Sequence, residues 1–209
     1  MPSNSDLIAH LLESGYADAR VADAMRKIDR INFIPAELAP HVYHDTPLPI
    51  GHGQTISAPG IVALMSKLLD VREGMTVLEV GSGSGYQAAI LAELVGKRGR
   101  IITLERIEWL VSFAKENCNR AGYKNIEFIH GDGSKGHSAK APYARIIVTA
   151  AARSVPKALT DQLAEGGKLV IPVGQPYRQD LLVIDKLAGG ELRTEPSIPV
   201  IFVPLIEGY

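Results

Sequence analysis

The chain reads as an α/β protein built on a doubly wound, mostly parallel sheet. Three observations predict this. Strand-like and helix-like segments alternate from residue 60 onward. A buried strand runs into a glycine-rich turn at 81–85 that opens a helix. The last strand-like segments, 181–187 and 199–203, have a Gly189-Gly190 turn and no helix between them, so they should pair antiparallel.

The elements follow in order. Residues 5–29 carry two apolar patterns at helical spacing, Leu7, Ile8, Leu11 and Leu12, then Val21, Met25 and Ile28, with Asp18 as N-cap of the second. Residues 32–60 hold Pro35, Pro40, Pro47, Pro49 and Pro59 with Gly51 and Gly53, which predicts an ordered connector without long elements. Beyond it the expected elements are a helix at 61–69, a strand at 76–80, a helix at 86–95, a strand at 100–105, a helix at 108–121 and a strand at 126–130. They continue with a strand at 145–150, a helix at 156–163 and a strand at 168–173, before the two late strands.

A length of 209 residues favours a single domain, here 1–209, with 1–59 as a helical covering segment and 60–209 as a binding core. Lys and Arg total 22 against 23 Asp and Glu, so no basic excess favours a nucleic-acid partner. One cysteine, Cys118, excludes an internal disulfide. No signal-peptide pattern and no long apolar run appear, so neither secretion nor a membrane partner is expected, and cytoplasmic residence is the default.

The strongest motif is Val77-Leu78-Glu79-Val80-Gly81-Ser82-Gly83-Ser84-Gly85-Tyr86. Glycines at alternate positions let a backbone touch a ligand and permit positive φ. A dinucleotide fingerprint would place its third glycine at position 86, which is Tyr, and a phosphate loop would need a Gly-Lys-Ser/Thr ending. The spacing, with an acid two residues before the first glycine, resembles the first motif of S-adenosylmethionine-dependent methyltransferases, which have a Rossmann-like fold. The plain alternative is a tight strand-to-helix turn. Glu105 ends the next strand, where a carboxylate can accept from a ribose diol. Asp132 and Gly133 follow the third strand and suit an adenine amino group and ring nitrogen. Singly, these read as a solvated acid and an Asp-Gly turn; the three strand ends together favour a binding site.

Upstream lies Gly51-His52-Gly53-Gln54-Thr55-Ile56-Ser57-Ala58-Pro59. Thr55 and Ser57 bring hydroxyls, and Pro59 starts a helix whose free N–H groups suit a carboxylate. Standing alone, this would be a capping loop. The run resembles the signature of protein-L-isoaspartate O-methyltransferases. The resemblance extends over Phe33-Ile34-Pro35, the glycine turn, Glu105-Arg106, Gly131-Asp132-Gly133, Ile146–Ala151, Ile171-Pro172-Val173-Gly174 and Phe202-Val203-Pro204-Leu205, and departs at Ala144, where the family often has an acid.

The resemblance implies methyl transfer from S-adenosyl-L-methionine to the free carboxyl of L-isoaspartyl residues in damaged proteins and peptides. It implies Ser57 as the active-site hydroxyl. The implied cofactor contacts are Thr55, Ile56, Ser57, Glu79, Gly81, Ser82, Gly83, Gly85, Glu105, Arg106, Asp132 and Gly133. Ser57, Ala58 and the backbone near Val203 are implied for substrate. The histidines His41, His44, His52, His130 and His137 match no metal-ligand spacing, so no metal is expected. Cys118, and Trp109 with Phe113, read as packing residues. A monomer is expected. A small-molecule or RNA methyltransferase and a catalytically silent binding module stand as alternatives; the first lacks a basic face or base-binding motif here, the second would have lost the Ser/Thr loop.

Overall fold

The computed structural model describes residues 2–208. Helix α1 (Asn4–Glu13) starts in a capping box, in which Ser3 Oγ accepts from the Asp6 N–H and Asp6 Oδ2 accepts from the Ser3 N–H. Helix α2 (Ala19–Lys27) starts at Asp18, whose side chain accepts from the Val21 N–H at 2.8 Å, as the sequence predicts. Leu7, Ile8, Leu11, Val21 and Met25 bury against Phe33 and Tyr86 in one core cluster. Each such side chain contributes roughly 1.5–3 kcal/mol of burial.

The connector contains two 3-10 turns, Arg30–Phe33 and Ala36–His41, and a short hairpin that periodicity did not reveal. Strands β1 (Leu48–Gly51) and β2 (Gln54–Ile56) pair antiparallel, Leu48 opposite Ile56. Gly51, His52 and Gly53 all take positive φ to make the turn. Helix α3 (Pro59–Leu69) starts at Pro59 as the sequence predicts, two residues ahead of the apolar pattern at 61–69.

The main sheet holds β3 (Thr76–Val80), β4 (Arg100–Glu105), β5 (Ile126–His130), β6 (Tyr143–Val148), β7 (Leu163–Gln175), β8 (Arg178–Lys186) and β9 (Leu192–Val200). Its order is β5-β4-β3-β6-β7-β8-β9. The pairs among β5, β4, β3, β6 and β7 are parallel; β7–β8 and β8–β9 are antiparallel. Helices α4 (Tyr86–Val95), α5 (Glu108–Arg120) and α6 (Lys157–Asp161) connect the parallel strands. Val77, Ile101, Ile147 and Val170 face α3 and α4, while Leu78, Ile102 and Ile146 face the cluster that holds Leu159 of α6. The chain leaves β3 toward β4 and later returns to β6 on the other side. This reversal opens a crevice beyond the carboxyl ends of β3 and β6.

Two expectations are corrected. Helix α6 is only five residues long, and Leu163, expected in it, starts β7 instead. The final strand runs over 192–200, not 199–203. It is an edge strand exposed almost throughout and carries Pro196 and Pro199, so it has neither alternation nor an apolar run to betray it.

Candidate active site

The glycine turn forms at the crevice because three of its five residues take left-handed backbone conformations that side chains rarely adopt. Gly81, Gly83 and Gly85 have φ of +100°, +52° and +87°. A Cβ on Gly81 would collide with Thr149 Oγ1. Thr149, at the end of β6, donates to the carbonyls of Val80 (3.1 Å) and Gly81 (2.7 Å) and so ties the turn to the neighbouring strand. Gly85 lets α4 approach α5, where a Cβ would lie 2.8 Å from Cys118 Sγ.

Beneath the turn is a buried polar chain. Thr103 on β4 hydrogen-bonds Glu79 Oε2 at 2.5 Å and Ser82 Oγ at 2.7 Å. Glu79 is fully buried, and its Oε1 has no partner among the described residues. Burial pushes the Glu79 carboxyl up to about 8; the Thr103 hydrogen bond opposes this and nearby Glu105 adds to it. Glu105 ends β4 with Oε2 accepting from the Gly83 N–H (3.1 Å) and Oε1 from the Ile107 N–H (3.0 Å). Each oxygen keeps a second lone pair for a hydroxyl.

The hairpin brings the hydroxyl loop to the same place. Two adjoining clefts, of about 420 and 570 Å³, share Thr55, Gly81, Gly83 and Thr149. The first is also lined by Ile56, Ser57 and Ser82, the second by Glu105, Arg106, Gly133 and Val203. Glu79, Gly85, Ala58 and Asp132 do not line either cleft.

At the far end Asp132 differs from an open acceptor. Its Oδ1 accepts from the N–H and Oγ of Ser134, and its Oδ2 from the Gly208 N–H at 2.9 Å, with Lys135 Nζ at 3.3 Å. Burial raises the Asp132 carboxyl, but these hydrogen bonds outweigh it and the net direction is downward. Val203 also departs in part from expectation. Its carbonyl already accepts from the Ala151 N–H at 2.8 Å, because residues 203–205 run beside Ala151 in the segment that follows β6.

Sequence reasoning missed Thr103, Thr149 and Arg30. A threonine between Ile102 and Leu104 in a buried strand was the available signal for Thr103. Arg30 is fully buried and bonds the Ser57 carbonyl. The residues present fit an elongated cation with a diol. A buried carboxyl oxygen lacks a partner, a second acid ends the next strand, and between them lies a turn with three glycines at alternate positions.

A family model described as protein-L-isoaspartate(D-aspartate) O-methyltransferase matches residues 2–209. The protein-L-isoaspartate O-methyltransferase of Methanothrix thermoacetophila is 54% identical over 201 residues, covering 95% of this chain and 94% of the relative. That of Methanopyrus kandleri is 50% identical over 207 residues, covering 97% and 92%. A solved structure from Plasmodium falciparum, described as a protein-L-isoaspartate O-methyltransferase in complex with S-adenosyl-L-homocysteine, superposes with a TM-score of 0.88 at 32% identity and covers both chains fully.

Proposed function

This chain belongs to the protein-L-isoaspartate O-methyltransferase family, and we propose that it methylates the free carboxyl group of L-isoaspartyl residues in damaged proteins and peptides, initiating their repair. The observation that carries this reading is the shared cleft, in which the Thr55–Ser57 hydroxyl loop meets the Gly81–Gly83 turn. When bound, S-adenosyl-L-methionine supplies a methyl group on a sulfonium whose departure leaves a neutral thioether.

The chain's own residues then have limited tasks. An isoaspartyl carboxyl with a pKa near ~4 is ionised at neutral pH, so no residue need act as general base. Ser57 donates a hydrogen bond that orients the carboxylate, with Ala58 and the Val203 backbone flanking the substrate. Thr55, Ile56 and Ser82 border the methionine end of the cofactor. Glu79, from below the turn, offers its unpartnered oxygen as acceptor for a cationic group. The backbone of Gly81, Gly83 and Gly85 gives close approach. Glu105 accepts from the ribose, while Arg106, Asp132 and Gly133 border the adenine. Closing such a cleft excludes water and strengthens each of these contacts.

Residues 1–59 serve as the covering segment and 60–209 as the cofactor core of one domain. Among the described residues no helix is long and apolar enough to cross a membrane. That fact and the lone buried cysteine support action in the cytoplasm. The near-balanced charge supports a protein or peptide partner rather than nucleic acid, and we take the active unit to be the monomer. The test is incubation with labelled S-adenosyl-L-methionine and matched peptides carrying isoaspartate or aspartate. Label in a base-labile ester on the isoaspartyl peptide alone is the expected result. Label on both peptides, or on neither, contradicts the proposal.

A further inference from the structure

The largest fully buried side chain among the described residues is a cation, Arg30. Its Nη1 donates to the Val42 carbonyl at 2.6 Å. Its Nη2 donates to the carbonyls of Thr46 at 3.1 Å and Ser57 at 3.0 Å, and its Nε has no partner. Burial draws the guanidinium down to about 10, with Tyr86 and Asp45 opposing, so it stays charged at neutral pH.

A buried charge without a full set of partners is costly, and an apolar side chain of similar size would often pack as well. The geometry shows what the charge accomplishes. Thr46 precedes β1 and Ser57 follows β2, where the last hairpin pair is Leu48 with Ile56. One nitrogen therefore joins the two chains at the hairpin base, a step beyond the final strand pair. A second tie joins the same two chains, because Asp45 Oδ1 accepts from the Gly60 N–H at 2.6 Å. Between these ties lie Ala58 and Pro59 at the start of α3.

We infer that Arg30 is a positioning residue for methyl transfer: by holding the Ser57 carbonyl it fixes the direction in which the Ser57 hydroxyl enters the cleft, with Asp45 as the outer half of the clamp. The inference rests on the reading of Ser57 given above. Lysine cannot substitute, because a point charge on a flexible stem does not reproduce a planar fork that spans three carbonyls.

The test uses the full chain with Arg30→Lys, Asp45→Ala and Ser57→Ala, singly and as Arg30→Lys/Ser57→Ala and Asp45→Ala/Ser57→Ala pairs. Three quantities are read: kcat on an isoaspartyl peptide at saturation, Kd for S-adenosyl-L-homocysteine, and hydrogen exchange at the amides of Ser57, Ala58 and Gly60. Arg30→Lys should lower kcat about tenfold or more while Kd moves less than about threefold. The loss should largely vanish when Ser57 is already alanine, since coupled residues are not additive. Asp45→Ala, at an exposed side chain, should give a smaller loss of the same kind and faster exchange at Gly60. A wild-type kcat in Arg30→Lys, full additivity with Ser57→Ala, or a loss confined to Kd overturns the inference. Should Arg30→Lys not fold, the Asp45→Ala/Ser57→Ala pair decides by the same criteria. Absence of methylation by the unsubstituted chain would count against the proposed function instead, and unchanged exchange in the variants would then still count against the clamp.

Discussion

Thr103 on β4 stands directly opposite Glu79 on β3, and its hydroxyl meets Glu79 Oε2 at 2.5 Å. Both are fully buried, and their register partners on the outer sides, Ile147 and Phe128, are apolar. If Glu79 is ionised, Thr103 donates to it and Ser82 donates to Thr103; if Glu79 is protonated, the chain of donors can run the other way. The pair thus holds a proton, or a negative charge, beneath the glycine turn.

The first consequence is a pH dependence of stability. Burial raises Glu79 from 4.5 to about 8. Between those values the folded chain keeps a proton that the unfolded chain has released, so this group makes ligand-free stability fall as pH rises from 4.5 to about 8 and level off above. Urea unfolding across this range should show that fall as the difference between the unsubstituted chain and Glu79→Gln. Parallel curves for the two would contradict it.

Removing the opposite partner has a signed effect too. Thr103→Val keeps the shape but leaves Glu79 and Ser82 short of a hydrogen bond, which costs about 1–3 kcal/mol. The cost should be larger above about pH 8, where Glu79 is ionised, than below it. Equal costs on both sides would place the proton elsewhere.

The glycine turn is tested by contrast. Gly81→Ala combines a φ of +100° with a collision against Thr149 Oγ1, and should cost more than about 2 kcal/mol and abolish cofactor-product binding. Gly53→Ala, at φ +70° with open space around it, should cost about 1–2 kcal/mol, the left-handed penalty alone. Thermal unfolding and calorimetric titration with S-adenosyl-L-homocysteine distinguish the two.

Asp132 joins the turn after β5 to residue 208. Asp132→Ala deprives Ser134 and Gly208 of their acceptor and should weaken cofactor-product binding by about tenfold, while kcat at saturation changes little. A fall in kcat with unchanged affinity would contradict its place at the adenine end.

The strands β3, β4 and β5 were legible to the residue, because each is a short run in which apolar residues predominate and a turn ends each one. Glu105, Gly81 and Gly83, named from the sequence for their charge or conformational requirement, line the clefts, whereas Glu79 and Gly85, named with them, lie outside the lining. Thr103 and Arg30 were not legible, for their roles come from cross-strand register and from carbonyls at positions 42, 46 and 57 that only tertiary folding assembles. The β1–β2 hairpin escaped because its strands are four and three residues long and one contains Pro49. The exposed edge strand β9 escaped because burial does not pattern it.

The most direct measurement is a comparison of the unsubstituted chain with Ser57→Ala under saturating cofactor and isoaspartyl peptide, with cofactor-product affinity taken in parallel. A fall in kcat of about 10–100-fold at an affinity changed by less than about threefold is the predicted result. Undiminished kcat, or a collapse of affinity with kcat intact, would remove Ser57 from the chemistry and with it the shared cleft as the site of methyl transfer.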